Sequence, residues 1–219
     1  PALPKYLYDY PDIKGEPVKN VVANINPYLI DAPDVIITKR KTQISRENEM
    51  CKGNQPTDGG NLILSTDEKD ALIADEPLAK QYIRPFIGAE EFLNGKARWC
   101  LWFHGVSDVK RNHDLKQMPQ VQIRIQAVKA MREASSKAAT QKKADTPWLF
   151  DEIRQPSDGN YLIIPSTSSE RRHFVPIDYV SHIMINSNAN FTLPNASLFH
   201  FGILCSTMHN AFMRTVAGR

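Results

Sequence analysis

The chain has 219 residues, 42% of them apolar, and a net charge of +3 at neutral pH. This is enough to bury a real core, in one large domain or two small ones, and it excludes a disordered, collagen-like or coiled-coil chain. No apolar run approaches the length that crosses a bilayer, so a membrane span is excluded as well.

The charge is unevenly spread. Residues 54–93 hold eight acids against three bases, whereas residues 110–143 hold nine bases against two acids. Such a split points to one side facing a polyanion, although solvated faces produce it too. Cys51, Cys100 and Cys205 lie far apart with no C-x-x-C spacing. An odd, sparse set reads as reduced thiols in a cytoplasm rather than a disulfide framework. The chain begins at Pro1 without a methionine, and we expect a piece of a larger polypeptide.

In chain order, the first fifty residues are proline-rich and irregular, with a strand expected over 34–40 ("DVIITKR"). A Gly-Gly turn leads into a second strand over 59–65. Ser65 and Glu68 then have capping-box spacing ahead of an apolar-periodic helix through Ala74, and a short helix starts at Glu76 with Pro77 in its first turn. The run "RWCLWF" (98–103) is apolar on both alternating faces, as in a central strand covered on both sides. Its tryptophans fit a core better than a base-stacking platform. Strong helix formers without Gly or Pro fill 120–142, with Arg124, Lys129, Arg132, Lys137 and Lys142 spread around the cylinder. Strands are expected over 148–150, 161–164 and 173–177, and a mostly buried helix over 195–218, closing at Gly218. Without regular βαβ alternation the class is α+β: a mixed central sheet with packed helices and a C-terminal helix.

Between two of these expected strands lies "STSSERRHFVP" (166–176). It places Glu170, Arg171 and Arg172 in succession on a short connector. A solvated ion-pair cluster would explain them; so would side chains held out to read something polar.

Catalytic patterns are weak. "INPYLI" contains Asn26-Pro27-Tyr28, one proline short of an amino-methylating clamp and without a glycine-rich loop before it. Asp34 with Asp67, Glu68 and Lys69 fits the letters of a metal-dependent nuclease, but acids are expected at a helix start in any case. Cys205 and His209 are one helical turn apart with only His200 nearby, too few for zinc. We expect no catalysis and no cofactor or metal within these residues. Two other readings stay open: a metal-dependent nuclease domain, and a protein-interaction domain, which would show a large exposed apolar patch.

Six segments together resemble the target recognition region of MmeI-type (type IIL) restriction–modification enzymes and their methyltransferase-only relatives. They are "YDYPDIKGEP" (8–17), "NINPYLIDAPDVIITKR" (24–40), "GNQPTDGGNLILS" (53–65), "YIRPFIGAEEFLNGKARWCLWF" (82–103), "SSERRHFVPI" (168–177) and "LFHFGILCSTMHNAFMRTVAGR" (198–219). The resemblance runs in order along nearly the whole chain. It implies a DNA target recognition domain over 1–219, with a C-terminal helical part starting near 195. The parent polypeptide would be a bacterial, cytoplasmic adenine-N6 DNA methyltransferase using S-adenosylmethionine, with magnesium where a nuclease is also present. The implied partners are double-stranded DNA and a methyltransferase domain of the same chain. The segment matching "SSERR" chooses bases in that family, which makes Glu170 and Arg172, with Arg171 beside them, the base-reading candidates. Arginine donates two bonds to guanine and glutamate accepts from cytosine; on an extended connector, positions 170 and 172 share a side. Lys110, Arg111, Arg124, Lys129, Ser168 and Ser169 are the candidates for phosphate.

Overall fold

The computed structural model describes residues 3–12, 14–38, 42, 49–169 and 171–216. In chain order the strands and helices are β1 (Lys5–Asp9), β2 (Val18–Val22), β3 (Cys51–Lys52), β4 (Ile63–Leu64), α1 (Thr66–Asp75), a 3-10 turn (Pro77–Tyr82), β5 (Ile83–Ile87), α2 (Ala89–Asn94), β6 (Trp99–Leu101), α3 (Asp108–Leu115), α4 (Pro119–Glu133), α5 (Ala138–Gln141), a second 3-10 turn (Lys142–Asp145), β7 (Asn160–Pro165), β8 (Asp178–Ser181), β9 (Ile185–Asn186), β10 (Asn190–Pro194), α6 (Leu198–Leu204) and α7 (Thr207–Val216). The class is α+β. The chain divides into two units, one made of residues 1–46 and 207–219, the other of residues 47–206.

In the first unit β1 and β2 form an antiparallel hairpin, with Tyr6 opposite Val21 and Tyr8 opposite Lys19. A tight turn follows, in which Asn26 Oδ1 accepts the N–H groups of Tyr28 (2.9 Å) and Ile30 (3.3 Å). The strand expected over 34–40 does not form across residues 34–38, and 39 and 40 lie outside the described residues. The Ile37 N–H is taken by the Tyr28 hydroxyl (2.6 Å), a partner that no β-ladder supplies.

The second unit carries two four-stranded sheets in place of the single central sheet expected. One has the order β3-β10-β7-β8 and is antiparallel; the other has the order β4-β6-β5-β9, with β9 parallel to β5. The larger core lies under the second sheet. It gathers Leu62, Leu64, Tyr82, Phe86, Leu101 and Phe103 with Met118, Val121, Ile125 and Val128. Trp99 and Trp102 pack against it; Trp102 meets Phe150 edge-on at 5.1 Å. β6 lies between β4 and β5, the interior place that two apolar faces imply.

Local rules hold where side chains and backbone agree. Ser65 Oγ accepts the Glu68 N–H at 3.2 Å and Glu68 returns the bond to Ser65 N at 2.9 Å, closing the capping box of α1. They fail where a tertiary partner claims the backbone. The strand over 59–65 shrinks to Ile63–Leu64 because Asp58 takes the Leu62 N–H (2.6 Å) and its carbonyl takes the Asn61 side chain (2.9 Å). The long helix stops at Glu133, short of 142: the Ser135 hydroxyl accepts the Lys137 N–H (3.2 Å) and the Ser135 carbonyl accepts from Gln141 (2.8 Å). Residues 173–177 are irregular, and the strand begins at Asp178. The C-terminal stretch is two helices, not one; α6 buries no residue and α7 buries Asn210 alone among those described. Gly218 lies outside the described residues.

Residues 148–150 form a turn instead of a strand, and Arg132 is the reason. Its side chain is fully buried at the C-terminal end of α4. It donates to five carbonyls: Pro56 (2.9 Å), Thr57 (3.0 Å), Lys143 (2.9 Å), Thr146 (3.2 Å) and Leu149 (2.8 Å). Burial pulls its pKa down, and the nearby carboxylates of Asp151 and Asp58 work against that. The planar guanidinium has five donors in a fixed fork, so one side chain organises three loop segments. Arg132→Met should cost at least about 1–3 kcal/mol in chemical denaturation, the range for leaving a buried acceptor unpaired. Arg132→Lys should recover only part of the loss, because an ammonium has three donors for five carbonyls.

Candidate nucleic-acid interface

The connector over 166–177 leaves β7, whose residues 161–165 are all buried, and returns into β8. It starts from a fixed point: the Ser166 N–H (3.1 Å) and hydroxyl (2.7 Å) both donate to the Ala189 carbonyl. Its return limb is anchored by Val175 and Ile177, which pack on the Leu162, Ile164 and Leu193 cluster. Between these anchors residues 166–169 and 171–174 are exposed. Glu170 lies outside the described residues. The Ser169 carbonyl accepts the Arg172 N–H at 3.0 Å, and the Ser169 hydroxyl accepts the Arg171 N–H at 3.3 Å. These bonds close a turn at Arg171 and Arg172.

What holds the base of this connector is a buried carboxamide network that the sequence analysis missed. Asn54, Asn186 and Asn190 are completely buried. Asn54 Nδ2 donates to Gln155 Oε1 and to the Asn186 carbonyl, both at 2.8 Å. Asn186 Nδ2 donates to Thr192 Oγ1 at 2.7 Å, and its Oδ1 accepts from Asn190 at 2.9 Å. Gln155 Nε2 bonds the His182 and Met184 carbonyls at 2.8 Å each. The network sits where the chain passes from β9 in one sheet to β10 in the other. Backbone approach is so close that a Cβ on Gly53 would lie 2.3 Å from the Ser187 carbonyl oxygen. The signal in the sequence was the density of asparagine in "INSNANF" (185–191), between two apolar stretches.

The phosphate candidates separate into groups. Arg111 is buried, 3.6 Å over the Trp148 ring and paired with Asp108 at 2.6 Å. Arg124 is committed to Glu68 (2.8 Å) and the Asn61 carbonyl (3.2 Å). Lys110 bonds Asp114 (2.5 Å) and Gln81 (2.9 Å); the Asp114 bond, then the Tyr82 hydroxyl, hold its pKa above the ordinary value. Lys129 lies 3.8 Å from Glu133, both partly exposed. Ser168 and Ser169 are exposed on the connector. Lys116, Lys137 and Lys142 are exposed and have no ion pair among the described residues. Of the bases in 110–143, Arg111 and Arg132 are thus buried and Arg124 half-buried, while the lysines stay at the surface.

The residues of the partial clamp and of the nuclease-like pattern are engaged in local contacts. Asn26, the first residue of the partial clamp, has its Oδ1 taken by its own turn. Asp34 accepts from Asn24 (2.9 Å), and Lys69 pairs with Asp70 (2.8 Å) over the Trp99 ring. No group of three or more His, Cys, Asp or Glu able to hold a metal occurs among the described residues. No described helix is long and apolar enough to cross a membrane.

With this geometry in hand, the relationships of the chain are direct. The model of the MmeI target recognition domain matches residues 31–219, and the chain belongs to that family. DNA methyltransferase A of Bacillus subtilis (strain 168) is 36% identical over 216 residues, which are 98% of this chain and 23% of that protein. A solved structure of the type IIL restriction-modification enzyme MmeI in complex with DNA is 44% identical, with a TM-score of 0.89, over 100% of this chain and 28% of the other. The chain spans about a quarter of the length of each of these relatives.

Beside the network, Glu91 caps α2 by accepting the Gly88 N–H at 2.8 Å and pairs with Arg98 at 2.8 Å. Burial pushes its carboxyl up, but the Arg98 and backbone bonds outweigh that and leave the pKa below its ordinary 4.5. A group depressed in the folded state stabilises fully above its unfolded pKa and stops doing so as pH falls through the folded value. Stability measured from about pH 5 down to 3 should therefore fall in the native chain. Glu91→Gln should be less stable at neutral pH and should flatten that part of the profile.

Proposed function

We propose that these residues are the sequence-reading part of an S-adenosylmethionine-dependent adenine-N6 DNA methyltransferase, fused in some chains to a nuclease and acting on double-stranded DNA in the bacterial cytoplasm. The observation that carries the reading is the exposed Arg171–Arg172 turn, mounted on a buried strand, in a chain 44% identical to MmeI, a protein solved in complex with DNA. Exposed lysines such as Lys116, Lys137 and Lys142 supply contacts to phosphate that carry no sequence information, and Glu170, Arg171 and Arg172 supply the base edges. The methylated adenine flips out of the helix into the catalytic part of the polypeptide, not into these residues. Cofactor and any magnesium belong to that part.

The polypeptide should bind duplex DNA with affinity that falls steeply as salt rises. For three or four phosphates contacted, log K against log salt has a slope of about −3. Filter binding from low to moderate salt measures it, and a flat dependence would refute the electrostatic part.

Specificity has its own test. Glu170→Lys or Arg172→Asp alone should depress methylation on every sequence, at roughly 1–3 kcal/mol per mismatched contact. Together they should restore methylation with one base pair of the site changed, since lysine donates to guanine and aspartate accepts from cytosine. Mapping methylated sites in DNA from cells expressing the double variant reads the outcome; an active double variant with an unchanged site would sink the base-reading assignment.

A further inference from the structure

Asn94-Gly95 is the one Asn-Gly step in the sequence. Such a step is chemically labile, because a glycine has no Cβ to shield its amide nitrogen from the neighbouring carboxamide. A hydrogen bond to that nitrogen suppresses the reaction, and this fold supplies none. Asn94 is the last residue of α2 and is exposed, and its carboxamide bonds nothing among the described residues. Gly95 takes the left-handed conformation (φ 65°) that ends the helix, with open space where a Cβ would stand. The N–H groups of Gly95, Lys96 and Ala97 find no acceptor among the described residues. At the end of α1, by contrast, the Glu76 N–H bonds the Leu72 carbonyl at 2.8 Å. Rotation that brings the Gly95 nitrogen toward the Asn94 side chain thus breaks no hydrogen bond of that nitrogen, and the opening stays local. The Asp-Gly steps at 58 and 158 differ: a carboxylate resists attack by an amide nitrogen at neutral pH. Asp58 is buried besides, with its carboxylate on the Leu62 N–H at 2.6 Å.

We propose that Asn94 is a site of spontaneous deamidation, with water as the co-reactant. The Gly95 nitrogen attacks Asn94 Cγ and forms the new C–N bond. The bond from Cγ to Nδ2 breaks, and ammonia leaves with the Gly95 amide proton. Water then opens the cyclic imide at one of its carbonyl carbons. Opening at Cγ leaves aspartate; opening at the backbone carbonyl leaves isoaspartate, with the main chain rerouted through Cγ. Either product adds a negative charge one helical turn from Glu90 and Glu91, at a helix end that disfavours it. Those two acids hold Lys96 and Arg98, which lead into the interior strand β6. The modification therefore weakens the chain at the step from α2 to β6.

Peptide mapping by mass spectrometry tests the proposal on the full natural polypeptide, kept folded at mildly acidic and at mildly alkaline pH. The Asn94 peptide should gain about 1 Da, water gained less ammonia lost, roughly tenfold faster than the peptide holding the exposed Asn195-Ala196 step. The rate should rise with pH, since the attacking nitrogen must shed its proton. The product should contain isoaspartate, detected by its resistance to an endoproteinase that cuts before aspartate. Asn94 as stable as Asn195 would overturn the proposal. Conversion to aspartate alone would overturn it too, since that marks direct hydrolysis without the imide. Asn94→Gln should leave the mass of the peptide unchanged over the same period; a shift that persists in this variant places the reaction at another residue and refutes the assignment.

Discussion

The second unit depends on a seam of buried carboxamides. Asn54, Gln155, Asn186 and Asn190 join two sheets that share no continuous ladder, at the corner where β9 gives way to β10. A buried amide without a partner costs about 1–3 kcal/mol, so such a network stabilises only when nearly every member is bonded. Here it nearly is: Asn190 Oδ1 alone among the seam's side-chain atoms is without a direct partner. A satisfied polar seam also fixes register in a way that interchangeable apolar contacts do not. The same corner supplies the Ala189 carbonyl that anchors Ser166, so the start of the exposed connector is set by the seam.

Arg132 plays the matching part on the helical side. It pairs with no carboxylate and satisfies five carbonyls in segments that would otherwise carry orphaned acceptors into the core. Together with Arg111 over Trp148 and Arg124 on Glu68, it diverts three guanidiniums from the surface into structure. A region whose sequence is strongly basic thus presents mainly lysines to solvent. Lysine suits contact with phosphate as a point charge, whereas a guanidinium suits bidentate contact with base edges.

The first unit shows the opposite economy. The backbone of its hairpin is paired, but among its described residues no apolar side chain is buried.

By itself the sequence determined the features that depend on short-range chemistry: the capping box at Ser65 and Glu68, the proline-led turn at Pro77, the interior strand at Trp99–Leu101, the α+β class, and the family, through six long segments. Each is set by residues a few positions apart or by extended likeness. Tertiary structure decided what depends on distant partners. Whether Arg132 faced solvent or the core, whether 148–150 formed a strand, and whether one sheet or two would form all turned on carbonyls and amides distant in sequence, some more than a hundred residues away, such as the Asn54–Gln155 bond. The connector shows both limits. Its Glu-Arg-Arg composition was legible, but the turn closed by Ser169 was not, because a serine hydroxyl and carbonyl serve a strand end, a cap or a turn equally well until the flanking strands fix where the chain must reverse.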